Sequence, residues 1–223
     1  MARPSQGAGI VLFLFVTILA SAAPAPRLVL DYVDDPSQLN IRNAAGVPVP
    51  TVEGMTVAPG VTLRTGATSA ELKLVPNGSL VKLAPNTAFQ VKSLQDLAGA
   101  PDTELSVLSG KIRMVAARLT GVNNRYTVFT PTAQAGVRGT DFAVEANTDS
   151  GDWICVAEGA VEFSLGTAGQ KPGRSVLVKT KQFANAKVPG LPVKNASAAD
   201  LADKFEGLDF VHSRPDAVPG HGN

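Results

Sequence analysis

The chain has 223 residues, room for one domain of ordinary size with short terminal extensions, and 44% of them are apolar while 5% are aromatic. Its 20 Lys and Arg against 19 Asp and Glu give a formal net charge of +1, so the basic stripe of a nucleic-acid-binding surface is not expected. A single cysteine, Cys155, excludes an internal disulfide, and the fold must stand on its core.

The first segment is read as an export signal over residues 1–22. Arg3 is followed by an uncharged apolar run from Ile10 to Ala20, and Ala20-Ser21-Ala22 offers the small residues a signal peptidase requires. Cleavage after Ala22 is expected, with an uncleaved anchor as the alternative. The run is short for a bilayer span, and Pro24 and Pro26 would stop a continuing helix. The mature chain is therefore expected in the periplasm or outside the cell, with no stable membrane span.

Residues 23–50 form an N-terminal extension with a first strand, and 51–185 a β domain. Short apolar runs predict strands at Val61–Arg64, Ala70–Val75, Ser79–Leu83, Ala88–Lys92, Glu104–Leu108 and Lys111–Ala117. Further strands are predicted at Tyr126–Thr130, Phe142–Glu145, Trp153–Ala157, Val161–Leu165 and Ser175–Thr180. Spacing of about 8–12 residues between turn signals is the pattern of an all-β fold. Pro76-Asn77-Gly78 marks a hairpin, and Gly110 and Gly159 sit where one strand is expected to turn into the next. Asn147 to Asp152 superficially resembles a calcium loop, but its Gly falls one position early and no bidentate Glu follows, which favours a polar hairpin turn. No fixed repeat length emerges. A twisted, solenoid-like stack of short strands and a sandwich-like stack both remain open.

Residues 186–223 are expected to hold a short helix and a disordered tail. Ser197 and Asp200 form a capping-box pattern, and Leu201, Phe205 and Leu208 share one stripe that should pack on the body as a lid.

Reactive chemistry finds little support. His212 and His221 both lie in the tail, so a nucleophile–histidine arrangement would depend on a mobile base. No zinc-binding spacing is present. Ser109-Gly110-Lys111 lacks the upstream glycine of a phosphate-binding loop, with Leu105 in its place. Cys155, inside an apolar run, reads as a small buried hydrophobe rather than a nucleophile or metal ligand. No enzyme activity, cofactor or metal is expected.

Three stretches carry a resemblance. The first runs from Pro59-Gly60-Val61 through Ala70-Glu71-Leu72-Lys73-Leu74 to Asn86-Thr87. The second, and most specific, runs from Tyr126 to Phe142 and contains Thr130-Pro131 and Gly136-Val137-Arg138-Gly139-Thr140-Asp141-Phe142. The third is Val156-Ala157-Glu158-Gly159-Ala160-Val161. In this order they resemble the FecR domain family. The resemblance implies a bacterial, extracytoplasmic domain with a twisted, β-solenoid-like fold. In the best-known type it implies reception of a signal from the periplasmic domain of a TonB-dependent transporter. That type also carries a cytoplasmic anti-sigma segment and a spanning helix, which are not expected in the 27 residues before Leu28. The chain departs from the family again at Lys181, where members often have Gly, and in lacking a strand-rich C-terminal subdomain.

The motif residues Thr130, Pro131, Gly136, Val137, Arg138, Gly139, Thr140, Phe142, Glu158 and Gly159 read mainly as structural. Thr130-Pro131 ends a strand, and Gly136 and Gly139 permit tight backbone around Val137-Arg138. Arg138 either satisfies carbonyls at the turn or pairs with Asp141 or Glu158, or binds an anionic group on a partner. The expected function is binding of another envelope protein, in sensing or scaffolding, with Glu71, Lys73, Lys82, Gln90 and Lys92 as exposed contact residues. One alternative is an envelope polysaccharide held on Trp153, Tyr32 or Tyr126. Another is partnership with a TonB-dependent receptor through a separate anti-sigma protein.

Overall fold

A computed structural model describes residues 25–97, 100–118 and 125–210. The predicted export signal and the tail with His212 and His221 lie outside these residues. In chain order the strands are β1 (Arg27–Val33), β2 (Leu39–Arg42), β3 (Pro48–Val49), β4 (Thr56–Val57), β5 (Thr62–Thr65) and β6 (Ala70–Val75). They continue with β7 (Leu80–Leu83), β8 (Ala88–Leu97), β9 (Ala100–Val115), β10 (Arg125–Phe129), β11 (Ala133–Val137) and β12 (Asp141–Ala146). The last are β13 (Trp153–Glu158), β14 (Ala160–Leu165), β15 (Ser175–Lys179), β16 (Gln182–Asn185) and β17 (Lys194–Asn195), followed by the helix α1 (Ala198–Phe205).

The strands form two layers. The front layer runs β4-β1-β6-β7-β9-β12-β13-β16-β17, antiparallel throughout. The back layer runs β3-β2-β5-β8-β9-β10-β11-β14-β15, with β9–β10 as its one parallel pair among the described residues. Hairpins alternate between the layers: β10–β11 lies in the back, β12–β13 in the front, β14–β15 in the back and β16–β17 in the front. The all-β expectation is borne out. The chain coils from layer to layer as in a solenoid, while local pairing is that of a sandwich.

β9 belongs to both layers. Ala88 faces Ser109 in the back, and Ala146 faces Gly110 in the front. Gly110 makes the crossing at φ +81°, and a Cβ there would lie 2.7 Å from the Asn86 carbonyl oxygen and the Thr87 Cα. This corrects the expectation of a turn at Gly110 between two strands. The backbone changes layer there without losing its partners, so Glu104–Leu108 and Lys111–Ala117 fall largely within one strand. Gly159, by contrast, does separate β13 from β14.

Period-two alternation builds the core. Leu28, Leu72, Val81, Ile112, Phe142 and Ile154 of the front layer meet Leu63, Phe89, Leu105, Tyr126, Val128 and Phe163 of the back layer in one buried cluster. Each large apolar side chain placed there contributes roughly 1.5–3 kcal/mol. A second cluster lies on the outer side of the front layer, where Phe205 and Leu208 close over Ala84, Ala143, Trp153 and Cys155. The helix begins at the expected capping box: the Asp200 amide donates to Ser197 Oγ (3.1 Å) and the Ser197 amide to Asp200 Oδ2 (2.8 Å). It packs on the body through the predicted stripe.

Of the expected contact residues, Lys73 and Lys92 are exposed and Gln90 is half-buried. Glu71 and Lys82 require correction. They are 3% and 8% exposed because the chain after α1 crosses the face they occupy, as the contacts below describe.

Candidate functional site

The motif from Thr130 to Phe142 links the two layers. Thr130 Oγ1 donates to the Ala133 carbonyl (3.1 Å) and accepts from the Ala133 amide (3.0 Å), closing the turn between β10 and β11. Thr132, two residues after Thr130, donates from its amide (2.9 Å) and hydroxyl (2.6 Å) to Asp152 Oδ2. Asp152 Oδ1 accepts from the Asn147 amide at 3.0 Å. Asp152 is buried and joins this turn to the β12–β13 turn, where Asn147 Oδ1 accepts from the Asp149 and Ser150 amides. Its carboxylate thus serves two backbone amides and the Thr132 hydroxyl, consistent with a polar turn.

Past β11, Val137 is buried and Arg138 exposed. Gly139 has φ +56°, and a Cβ there would sit 2.9 Å from Arg118 Cβ. Thr140 is buried, and Phe142 enters the main core. Gly159 has φ +92°, and a Cβ there would lie 2.6 Å from Thr140 Cγ2. The second and third motif stretches therefore meet where Thr140 packs against Gly159. Glu158 is exposed opposite Asp141 in the strand pairing. The Asp141 carboxylate that the sequence offers to Arg138 is held by Arg113, Nε to Oδ1 at 2.8 Å and Nη2 to Oδ2 at 2.6 Å.

Arg113 belongs to a row that the linear sequence does not display. Strand register aligns Tyr32, Glu71, Lys82, Arg113, Ala143, Cys155 and Phe183 across seven front-layer strands, on the side away from the core. The C-terminal segment lies along this row. Lys204 Nζ sits 4.3 Å from the Trp153 ring centroid and 5.2 Å from that of Phe183. Arg113 stacks on Phe205 at 5.0 Å and donates from Nη1 to Asp209 Oδ1. Lys82 Nζ donates to the Phe210 carbonyl (2.5 Å), lies 4.8 Å from the Phe210 ring and stands 3.7 Å from Glu71 Oε2. The Tyr32 and Phe210 rings are 6.0 Å apart.

Electrostatics follow from these contacts. The carboxylates of Asp141 and Asp209 hold the Arg113 guanidinium protonated more firmly than usual. Burial beneath α1 pushes the Cys155 thiol up to about 11. A thiolate nucleophile is therefore disfavoured at neutral pH. Trp153 and Tyr126 are buried, and the Tyr126 hydroxyl accepts from Asn77 Nδ2 at 2.7 Å and lies 2.8 Å from Ser79 Oγ.

No curated protein matches the sequence. Two crystal structures of a proposed anti-sigma factor from Parabacteroides distasonis are similar to the chain at 17% identity. One has a TM-score of 0.50, covering 66% of this chain and 65% of that one, and the other 0.48, covering 65% and 63%. The chain thus spans less than two thirds of the length of either, and the likeness is one of fold. Residues 61–162 match the family model described as FecR protein. That interval, similar to the FecR protein family, holds the Thr130–Phe142 motif, the Gly159 packing site and Glu71, Lys82 and Arg113 of the outer row.

Proposed function

We propose that the chain is a non-catalytic FecR-like module of the cell envelope that binds another envelope protein, in sensing or scaffolding. FecR-domain proteins are regulatory rather than enzymatic. Thr130, Gly139, Thr140, Phe142 and Gly159 build turns and core, so the motif acts through the shape of the domain. The observation that carries the reading is the cross-strand row: a sheet face with gathered charges, aromatic contacts and an ordered cover is suited to a protein segment. A polysaccharide platform is less favoured, because Trp153 and Tyr126 are buried.

Crosslinking in intact envelopes followed by recovery of the chain tests this. A specific protein partner is the expected result, and recovery of glycan without protein would overturn it. A sigma factor and an outer-membrane receptor encoded beside the gene would favour the version with a TonB-dependent receptor and a separate anti-sigma protein.

A further inference from the structure

The geometry points to the charged half of the outer row, now covered by Asp209 and Phe210, as a docking site for an extended partner segment in which an acidic residue precedes an aromatic one. This deepens the protein-binding reading and rests on it.

The row has two unlike halves. Under α1 it is apolar, with Ala143, Cys155 and Phe183 beside Trp153, and Phe205 and Leu208 close over it. Under Asp209 and Phe210 it is charged, with Arg113, Lys82 and Glu71. Covering charges carries a desolvation cost that apolar residues at the same positions would avoid. A permanently closed seam would extend the apolar half. The charged half instead has the composition of a surface that meets water for part of its life.

The outward groups form a definite recognition pattern. Two guanidinium nitrogens of Arg113 are engaged by Asp141, and Nη1 remains to meet the Asp209 carboxylate. Lys82 Nζ supplies a donor for a main-chain carbonyl and a cation for the ring of the same residue, Phe210. The Tyr32 ring lies against the same Phe210 ring, tilted by 36°. A carboxylate followed directly by an aromatic residue satisfies all three groups.

The internal occupant is weakly held. The Asp209 side chain is 68% exposed, and exposed ion pairs contribute only about 0–1 kcal/mol. The helix before it has eight residues, a length that depends on docking for its stability. An incoming segment competes mainly with the high local concentration of the tethered one.

The test uses a fluorescein-labelled peptide of the sequence Phe-Glu-Gly-Leu-Asp-Phe, identical to residues 205–210, titrated by anisotropy onto the full chain. Asp209→Lys with Phe210→Ala should release the site and tighten peptide binding about tenfold or more over the unaltered chain. Adding Lys82→Gln, or replacing the peptide's Asp by Asn, should weaken it about tenfold. Lys82→Gln leaves the Arg113–Asp141 pair intact, and a thermal melt verifies that each variant is folded. No gain on release, or no loss with either change, overturns the proposal. Envelope crosslinking separates this from the broader reading. A partner contacting the chain away from Tyr32, Lys82 and Arg113 overturns this site while leaving protein binding standing, whereas recovery of glycan alone overturns protein binding.

Discussion

Arg113 and Asp141 are joined by two parallel hydrogen bonds across the β9–β12 pairing, two positions out of register, with each side chain one-fifth exposed. The planar guanidinium matches both carboxylate oxygens, which an ammonium cannot do. Asp141 is the first residue of β12, immediately after Gly139-Thr140, so the pair anchors the motif's backbone where it re-enters the front layer.

Arg113→Lys should therefore cost about 1 kcal/mol and Arg113→Ala about 2–3 kcal/mol, the larger value reflecting the mostly buried Asp141 carboxylate left without its two-point partner. Urea unfolding monitored by circular dichroism measures both. A midpoint for Arg113→Lys equal to that of the unaltered chain would show that two-point contact is unimportant.

Gly159→Ala should destabilise far more than Gly78→Ala. Both positions have positive φ, +92° and +76°, so each bears the backbone penalty of about 1 kcal/mol. Only at Gly159 would the new methyl strike a neighbour, Thr140 Cγ2, whereas Gly78 faces open space. A difference of about 1–3 kcal/mol is expected in thermal unfolding. Equal losses would remove the case for Thr140–Gly159 packing.

The buried thiol of Cys155 predicts an alkaline loss of stability. Its folded pKa is raised from 9.0 to about 11, so between these values the unfolded chain releases a proton that the folded chain retains. The contribution is complete below pH 9 and declines as pH rises towards 11, by at most about 1.4 kcal/mol per pH unit. The slope difference between the unaltered chain and Cys155→Ala isolates it, and identical slopes would exclude burial as the cause. Maleimide labelling at neutral pH should be slow, and Phe205→Ala should accelerate it about tenfold by opening the cover.

Tyr126→Phe should cost about 1–2 kcal/mol, because Asn77 Nδ2 and Ser79 Oγ lose a shared partner at the edge of the core. Ser79 Oγ also accepts from the Ala117 amide at 2.9 Å. Faster amide exchange at Ala117 in the variant would be the local sign, and unchanged exchange would confine the effect to the hydroxyl itself.

The alternation of Ala70-Glu71-Leu72-Lys73-Leu74 made β6 legible, and Ser197 with Asp200 marked the start of α1. β11 escaped notice because Ala133-Gln134-Ala135-Gly136-Val137 has only one β-branched side chain, and its place is secured by β10 and β14 on either side. The face of Glu71 followed from alternation, but its alignment with Lys82 and Arg113 required the register of distant strands. Burial of Lys82 was less accessible still, since the residue covering it lies 128 positions later. Local pattern carries strand phase and caps. Contacts of that length depend on how the layers close.

Sharing β9 between the layers has a mechanical consequence. Its register with β7 and β12 on one side of Gly110, and with β8 and β10 on the other, makes it a common spar. Peeling either sheet away would tear pairings along the same strand, so tension applied to one layer is borne by both. A pull on the outer row at Arg113 enters that spar three residues from Gly110 and reaches the back layer through continuous backbone.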